Sequence, residues 1–129
     1  MSMFYVVATP IGNLDDFSIR AISALNSSDA ILCEDTRVTR VLLSKYNISK
    51  PLVSYHQHSR MQKINEIVGL LKDGKTLSLV SDAGTPGIND PGNFLIQEVL
   101  KEIPDLKIVP IPGPNAAITA LSISGFPAD

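Results

Sequence analysis

The sequence predicts an α/β domain in which a mainly parallel sheet of five strands is flanked by helices. Short apolar runs alternate with amphipathic stretches along all 129 residues, as in repeated β-α units. Aromatic residues make up only 5% of the chain and tryptophan is absent, so Ile, Leu, Val and Ala must build the core. Glycine, proline and aspartate cluster directly after several apolar runs, where loops at one edge of such a sheet are expected.

Five apolar runs have the length of strands, and each is followed by a stretch with helical periodicity. The expected strands span residues 4–8, 30–33, 52–55, 76–80 and 107–111. The expected helices span residues 17–25, 38–46, 60–72, 91–103 and 114–124. Residues 1–124 then form one domain, and residues 125–129 are typical of the start of a linker to a further domain.

Local chemistry predicts where several helices begin and end. Ser59 and Gln62 have the spacing of a capping box, in which side chains satisfy free amide hydrogens of the first turn. Gly74 and Gly125 suit helix ends, because glycine tolerates the left-handed conformation found there. Two further pairs place an N-cap residue before a proline at the first helical position. These pairs are Asp90 with Pro91 and Gly113 with Pro114.

The net charge of −2 conceals an uneven distribution of charges. Residues 36–65 contain six cations and no Asp or Glu, whereas the rest of the chain has 5 basic and 13 acidic residues. A segment of charge +6 can meet nucleic-acid phosphates, although a solvated helix face gives the same pattern. The six cations are Arg37, Arg40, Lys45, Lys50, Arg60 and Lys63.

Several classes of protein are disfavoured by what the sequence lacks. Cys33 is the single cysteine, so an internal disulfide is excluded, and it has no partners at zinc-ligand spacing. We therefore expect Cys33 to be a buried apolar residue without a functional role. No apolar run approaches the roughly 20 residues that span a bilayer, and the first residues do not have the pattern of a signal peptide. We therefore expect a cytoplasmic protein without a membrane partner. Neither dinucleotide-binding nor P-loop glycine motifs are present.

Three loops combine small residues with polar ones at the ends of predicted strands. They are residues 9–16, 81–92 and 110–117. Carboxyl ends of parallel strands meet at one edge of a sheet, and small residues let a ligand approach the backbone. These loops suit an adenosine or amino-acid moiety, although each of them is also compatible with a plain turn.

The strings VATPIGNLDD, CEDTR, SDAGTPGINDPG and IPGPNAAITALSISGFP, in this order, resemble the tetrapyrrole methylase family, in the branch that methylates ribosomal RNA. The resemblance implies the N-terminal domain of a two-domain class III methyltransferase. S-adenosylmethionine (SAM) then lies in the cleft between the domains, the enzyme is a homodimer, and no metal is needed. The implied substrate is the ribose 2′-hydroxyl of a cytidine in 16S ribosomal RNA of the small ribosomal subunit.

The resemblance also implies cofactor-binding residues in each of the three loops. The motif after the fourth strand matches the loop that holds the methionine part of SAM. The matched positions are Pro10 and Gly12 in the first loop, Asp82, Ala83, Gly84, Thr85 and Ile88 in the second, and Asn115 and Ala116 in the third.

Methyl transfer to a hydroxyl benefits from a general base, for which Glu34, Asp35 and His56 are candidates at the ends of the second and third strands. We rank Asp35 first and His56 next. Arg37 and Arg40 are candidates for binding RNA phosphates. A local ion pair at a helix N-terminus explains the acidic and basic residues of CEDTR equally well.

Other interpretations remain open from the sequence. One is a methylase of a small molecule such as a tetrapyrrole, and another is a non-catalytic half-site module formed by this chain alone. A magnesium site for phosphoryl transfer is a third, with Asp35, Asp82 and Asp90 as its ligands. A metal pair of His56 and His58 is disfavoured, because two ligands seldom make a site.

Overall fold

The computed structural model describes residues 2–56, 61–88 and 91–128, and strands and helices alternate strictly along them. The strands are β1 (Met3–Val7), β2 (Ala30–Cys33), β3 (Leu52–Ser54), β4 (Leu77–Leu79) and β5 (Lys107–Ile111). The helices are α1 (Ile19–Ser27), α2 (Thr36–Lys45), α3 (Met61–Lys72), α4 (Gly92–Glu102) and α5 (Ala116–Ser124). The predicted α/β class and element order are confirmed.

All five strands are parallel and are arranged in the order β3-β2-β4-β1-β5. β4 therefore inserts between β2 and β1, and β1 has β4 and β5 as its two neighbours. Phe4 pairs with Leu77 on one side and with Ile108 on the other. The three loops that contain the glycine and proline clusters consequently follow three adjacent strands.

Two apolar clusters cover the two faces of the sheet. Phe4 and Val6 of β1 pack in one cluster together with residues of α3 and α4, whereas Val7 packs in the other with residues of α1 and α2. Successive side chains of a strand point to opposite faces, so this division places the two pairs of helices on opposite sides of the sheet. The core is aliphatic, as the composition predicts.

Side-chain caps fix where three of the helices begin. The Ser18 hydroxyl accepts a hydrogen bond from the Ala21 amide at 3.0 Å, and α1 therefore starts two residues later than predicted. The Asp35 carboxylate accepts from the Arg37 amide at 2.9 Å and starts α2 two residues earlier than predicted. Asn115 caps α5 by accepting from the Ile118 amide at 3.0 Å.

The predicted N-cap at Gly113 and the helix start at Pro114 are wrong. Glycine offers no side-chain oxygen for the free amide hydrogens, and Asn115 supplies one two residues further along. At α4, Pro91 precedes the first helical residue, Gly92, so this start is displaced by one residue. The predicted caps Asp90 and Ser59 lie outside the described residues.

Glycine ends two of the helices as predicted. Gly74 has a φ of +84°, and the amides of Gly74 and Lys75 donate to the carbonyl oxygens of Leu71 and Leu70, which is the pattern of a Schellman motif. Gly125 likewise adopts the left-handed conformation after α5. Asn47 plays the same part after α2, with a φ of +55°, and was not predicted to do so.

Across the described ranges, no helix combines the length and the apolar character needed to cross a lipid bilayer.

Candidate functional site

The loops after β1, β4 and β5 lie side by side at one edge of the sheet. Their strands are adjacent and parallel, so the carboxyl ends of all three point the same way. The prediction that residues 9–16, 81–92 and 110–117 gather at one edge is confirmed for their described parts. We call this group of loops the loop wall.

Backbone hydrogen bonds join the first two loops of the wall. Thr9 and Gly84 exchange two bonds, each amide donating to the other residue's carbonyl oxygen at 3.0 Å. The buried Thr9 hydroxyl also donates to the carbonyl oxygen of Ser81 at 3.3 Å. Sequence reasoning gave Thr9 no role, although a polar residue directly after an apolar strand is a readable signal. These bonds hold the β4 loop in register with the β1 loop.

Two glycines shape the loops, one by its backbone conformation and the other by allowing a close approach. Gly84 has a φ of +79°, where a side chain is strained, and a Cβ there would lie 3.5 Å from the Cγ2 of Ile11. A Cβ at Gly113 would lie only 2.9 Å from the Cβ of Ala8, closer than real contacts allow. Gly113 therefore lets the β5 loop touch the end of β1, and the three loops form one continuous surface.

The residues predicted to bind a cofactor divide into a buried and an exposed group. Pro10 and Gly84 are buried and shape the backbone of the loop wall. The Asn115 side-chain oxygen is already used as the cap of α5, so its amide nitrogen is the side-chain group left to a ligand. The others are exposed, namely Gly12, Asp82, Ala83, Thr85, Ile88 and Ala116. Ile88 is the apolar member of this set, with 72% of its surface exposed.

An open groove of about 460 Å³ separates the β1 loop from the start of α5. Ile11, Phe17 and Pro114 give it apolar walls, and Asp15 and Asp16 supply carboxylates. Its volume lies in the range of small-molecule sites. Mixed apolar and acidic walls suit a ligand that carries both a flat apolar group and a positive charge.

Asp35 lies at the carboxyl end of β2 and is held by Arg37 as well as by its capping role. Its two carboxylate oxygens accept from the Arg37 guanidinium at 3.2 and 3.0 Å. These bonds, followed by the bond from the Arg37 amide, lower the pKa of the Asp35 carboxyl. The carboxylate stays ionised at neutral pH but is a weaker base than an unpaired one.

An Asp35→Asn variant is expected to lose stability near pH 7 but not in acid. A lowered pKa in the folded chain means that ionised Asp35 contributes stability above the ordinary carboxylate pKa of about 4, and this contribution is lost as pH falls through the lower folded value. Asparagine keeps the capping oxygen. Thermal unfolding midpoints of wild type and variant should differ near pH 7 and converge towards about pH 3. Asp105→Asn, in an exposed turn, is the control, and a pH-independent difference at Asp35 would contradict the assignment.

The other residues near Asp35 differ in accessibility. Cys33 is fully buried, and burial is the main cause of the raised pKa of its thiol, so the expectation of a buried apolar residue is confirmed. Glu34 is partly exposed and lines a small cleft with Tyr55 and Ser81 beside the β4 loop. His56 is exposed just after β3, at the outer edge of the sheet. The candidate bases therefore flank the loop wall on its β2 and β3 side.

The family model of the tetrapyrrole (corrin/porphyrin) methylases matches residues 3–129. The chain belongs to the tetrapyrrole methylase family. Solved structures of this kind share its fold, including uroporphyrin-III-C-methyltransferase of Thermus thermophilus, with a TM-score of 0.69 at 18% identity over 97% of this chain and 53% of that one. Cobalt precorrin-4 methyltransferase gives a TM-score of 0.63 at 18% identity over 94% and 49%.

Curated relatives of this methylase domain are considerably more similar in sequence. The three described next carry the name ribosomal RNA small subunit methyltransferase I. The Thermotoga maritima protein is 50% identical over 98% of this chain and 56% of its own length. The Bacillus subtilis protein is 50% identical over 98% and 42%, and that of Escherichia coli O157:H7 is 46% identical over 97% and 43%. The chain thus spans about half the length of the curated relatives it matches.

The cationic segment of the methylase domain is less positive in the fold than in the sequence. Arg37 pairs with Asp35, Lys45 Nζ lies 2.6 Å from Asp15 Oδ1, and Lys63 Nζ lies 3.2 Å from Glu66 Oε2. Among the described residues, no ion pair involves Arg40 or Lys50. Arg60 lies outside the described residues. Arg37 remains 87% exposed despite its pairing, so a phosphate can still reach it.

In the part of the methylase domain that the structure describes, no three His, Cys, Asp or Glu side chains group as metal ligands would. Asp90 and His58, each named in a metal hypothesis, lie outside that part.

Proposed function

We propose that this chain forms the N-terminal half of a SAM-dependent methyltransferase that modifies a ribose 2′-hydroxyl of a cytidine in 16S ribosomal RNA, in the cytoplasm. The observation that carries the proposal is 45–50% identity across nearly the whole chain to relatives named as small-subunit ribosomal RNA methyltransferases. Fold neighbours that act on tetrapyrroles are only 14–18% identical. A small-molecule substrate remains the alternative, and the sequence distances favour RNA.

The chemistry of the loop wall supports SAM as its ligand. Bound SAM supplies an electrophilic methyl group on a positively charged sulfur. The exposed carboxylate of Asp82 suits the ammonium or the ribose hydroxyls of such a ligand, and Ile88 suits its apolar parts. Gly84 and Gly113 keep the wall free of side chains where the loops meet, so backbone groups of Ala83 and Thr85 are accessible to a ligand.

Positioning is the main contribution that this half can make to catalysis. Pro10, Gly12, Asn115 and Ala116 would orient the cofactor from the flanking loops. Holding two reactants in line lowers the activation barrier, because the entropy cost of their encounter is met when they bind. This effect is worth several orders of magnitude in rate. We propose Asp35 as the first candidate to take the hydroxyl proton, because it follows β2, the strand next to the loop wall, and His56 as the second, after the outer strand β3. Arg37 and Arg40 are proposed to bind RNA phosphates.

The proposed homodimer draws its support from α5 and the residues after it. Every residue of α5 is exposed, although most of them are apolar. Ile123 and Phe126 are 86% and 74% exposed. Exposed apolar surface of this kind marks an interface. Sedimentation of the full-length protein at micromolar concentration should give a dimer, and a monomer would contradict the proposal.

Mapping of ribose methylation in 16S ribosomal RNA tests the proposed function. RNA from cells that lack the full-length protein should lose one 2′-O-methyl group at a cytidine, and the wild-type gene should restore it. Asp35→Asn and His56→Gln genes are compared in the same complementation at equal levels of folded protein, since Asp35→Asn is also expected to lower stability, and the variant that abolishes methylation under that condition identifies the base. An unchanged methylation pattern would overturn the proposal. RNA binding that falls steeply with salt separates an RNA substrate from a small molecule, because phosphate contacts release counterions.

A further inference from the structure

The C-terminal end of α2 anchors the β1 loop from outside the loop wall. The Tyr46 hydroxyl donates a hydrogen bond to the Leu14 carbonyl oxygen. Lys45 Nζ pairs with Asp15 Oδ1 at 2.6 Å, and the rings of Tyr46 and Phe17 pack at a centroid distance of 5.2 Å. Lys45 and Tyr46 thus make a hydrogen bond, an ion pair and a ring contact with the same short stretch of loop.

The anchored stretch has few other contacts to fix it. Residues 12–16 are exposed, and the hydrogen bonds within the stretch are those of a local turn, in which the amides of Asp15 and Asp16 donate to the side-chain and main-chain oxygens of Asn13 at 3.0 Å. A turn held only by its own atoms can rotate as a unit. Its orientation against the wall therefore depends on the contacts with α2 and on Phe17, which is buried in the core at the end of the stretch.

The end of α2 that carries Lys45 and Tyr46 is itself held by backbone contacts. Asn47 ends α2 in the left-handed conformation, and the amide of the buried residue Ile48 donates to the carbonyl oxygen of Leu43 at 2.9 Å. Nearer the start of the same helix, Val38 and Leu42 line a small cleft together with Leu14 and Asp82. α2 thus borders both the β1 loop and the start of the β4 loop.

We infer that Tyr46, assisted by Lys45, is a positioning residue for cofactor binding, which fixes the β1 loop against the β4 loop. The inference rests on the proposed function. Neither residue lines the groove beside α5, so each acts through the loop that carries Pro10 and Gly12. Loosening that loop weakens the binding of ground state and transition state equally, which raises KM and leaves kcat unchanged.

A Tyr46→Phe variant of the full-length enzyme tests this directly. Phenylalanine keeps the ring contact with Phe17 and removes only the hydroxyl that bonds Leu14. The KM for SAM should rise about three- to tenfold, as expected for one lost hydrogen bond, with kcat within about twofold of wild type. Tyr5→Phe is the matched control, because the hydrogen bond that the Tyr5 hydroxyl donates within the described residues goes only to the Met3 sulfur, at 3.6 Å.

Lysine variants provide a second, independent measurement. Lys45→Met should raise the KM for SAM less than Tyr46→Phe does, because an exposed ion pair contributes little. Lys45→Arg should restore the wild-type KM, since arginine can still pair with Asp15. Amide hydrogen exchange at residues 13–16 should be faster in Tyr46→Phe and in Lys45→Met than in wild type.

The outcomes distinguish failure of the positioning role of Tyr46 from failure of the proposed function. Suppose that wild-type enzyme binds SAM and that Tyr46→Phe has an unchanged KM with a lowered unfolding midpoint. This result would overturn the positioning role and leave the proposed function standing. A fall in kcat at constant KM would overturn it as well. Wild-type enzyme that binds no SAM would overturn the proposed function and this inference together.

Discussion

Gly113→Ala is expected to destabilise the domain by about 1–3 kcal/mol, the usual cost of adding a methyl group to a closely packed contact. The added Cβ would stand 2.9 Å from the Cβ of Ala8, so the β5 loop must move away from the end of β1. In the full-length enzyme the same shift should weaken SAM binding by at least about tenfold, because displacing one loop misaligns the others. Urea denaturation and calorimetric titration measure the two effects.

Gly69→Ala is the matched control for that variant. Gly69 lies inside α3, and a Cβ at this position would meet no atom within 4 Å. Replacing a helical glycine by alanine should stabilise the domain by about 0.5–1 kcal/mol and leave SAM binding unchanged. A Gly113→Ala variant as stable as wild type would show that the loop wall is loosely packed, contrary to its geometry.

SAM should bind this 129-residue chain on its own at least about a hundredfold more weakly than it binds the full-length enzyme. Binding sites bury most of a small ligand's surface, and the groove beside α5 is open to solvent. A ligand that is bound on one side lacks contacts on the other. Those missing contacts would otherwise offset its loss of translational and rotational freedom.

Titration calorimetry of both proteins measures this difference. A chain with Asp82→Ala added to the comparison shows whether any residual binding involves the β4 loop. Equal micromolar affinity of the short chain and the full-length enzyme would mean that the loop wall is a complete site, and the half-site interpretation would then be wrong.

The position of the loop wall could be predicted because its chemistry is local. Glycine and proline follow the apolar runs that end near Ala8, Val80 and Ile111, and parallel strands bring their carboxyl ends to one edge whatever their order. The order itself could not be predicted. Nothing in the runs at β2 and β4 indicates that β4 inserts beside β1, because register and neighbours follow from packing of the whole sheet.

The ion pairs near the site could be predicted only in part, for a similar reason. The pair of Lys63 and Glu66 is readable from helical spacing, and Asp35 and Arg37 are neighbours in the chain. Lys45 and Asp15 are distant in sequence and meet only because α2 packs along the β1 loop. The contacts of Tyr46 could not be predicted from the sequence for the same reason.

The strand order also bears on how the chain reaches its native state during synthesis. β1 leaves the ribosome well before both of its partners, β4 and β5, are made. Until then an apolar strand has two unpaired edges, which invite aggregation or chaperone capture. Because closing such distant contacts is entropically costly, we expect slow folding in which β1 and β5 join the sheet after β2, β3 and β4.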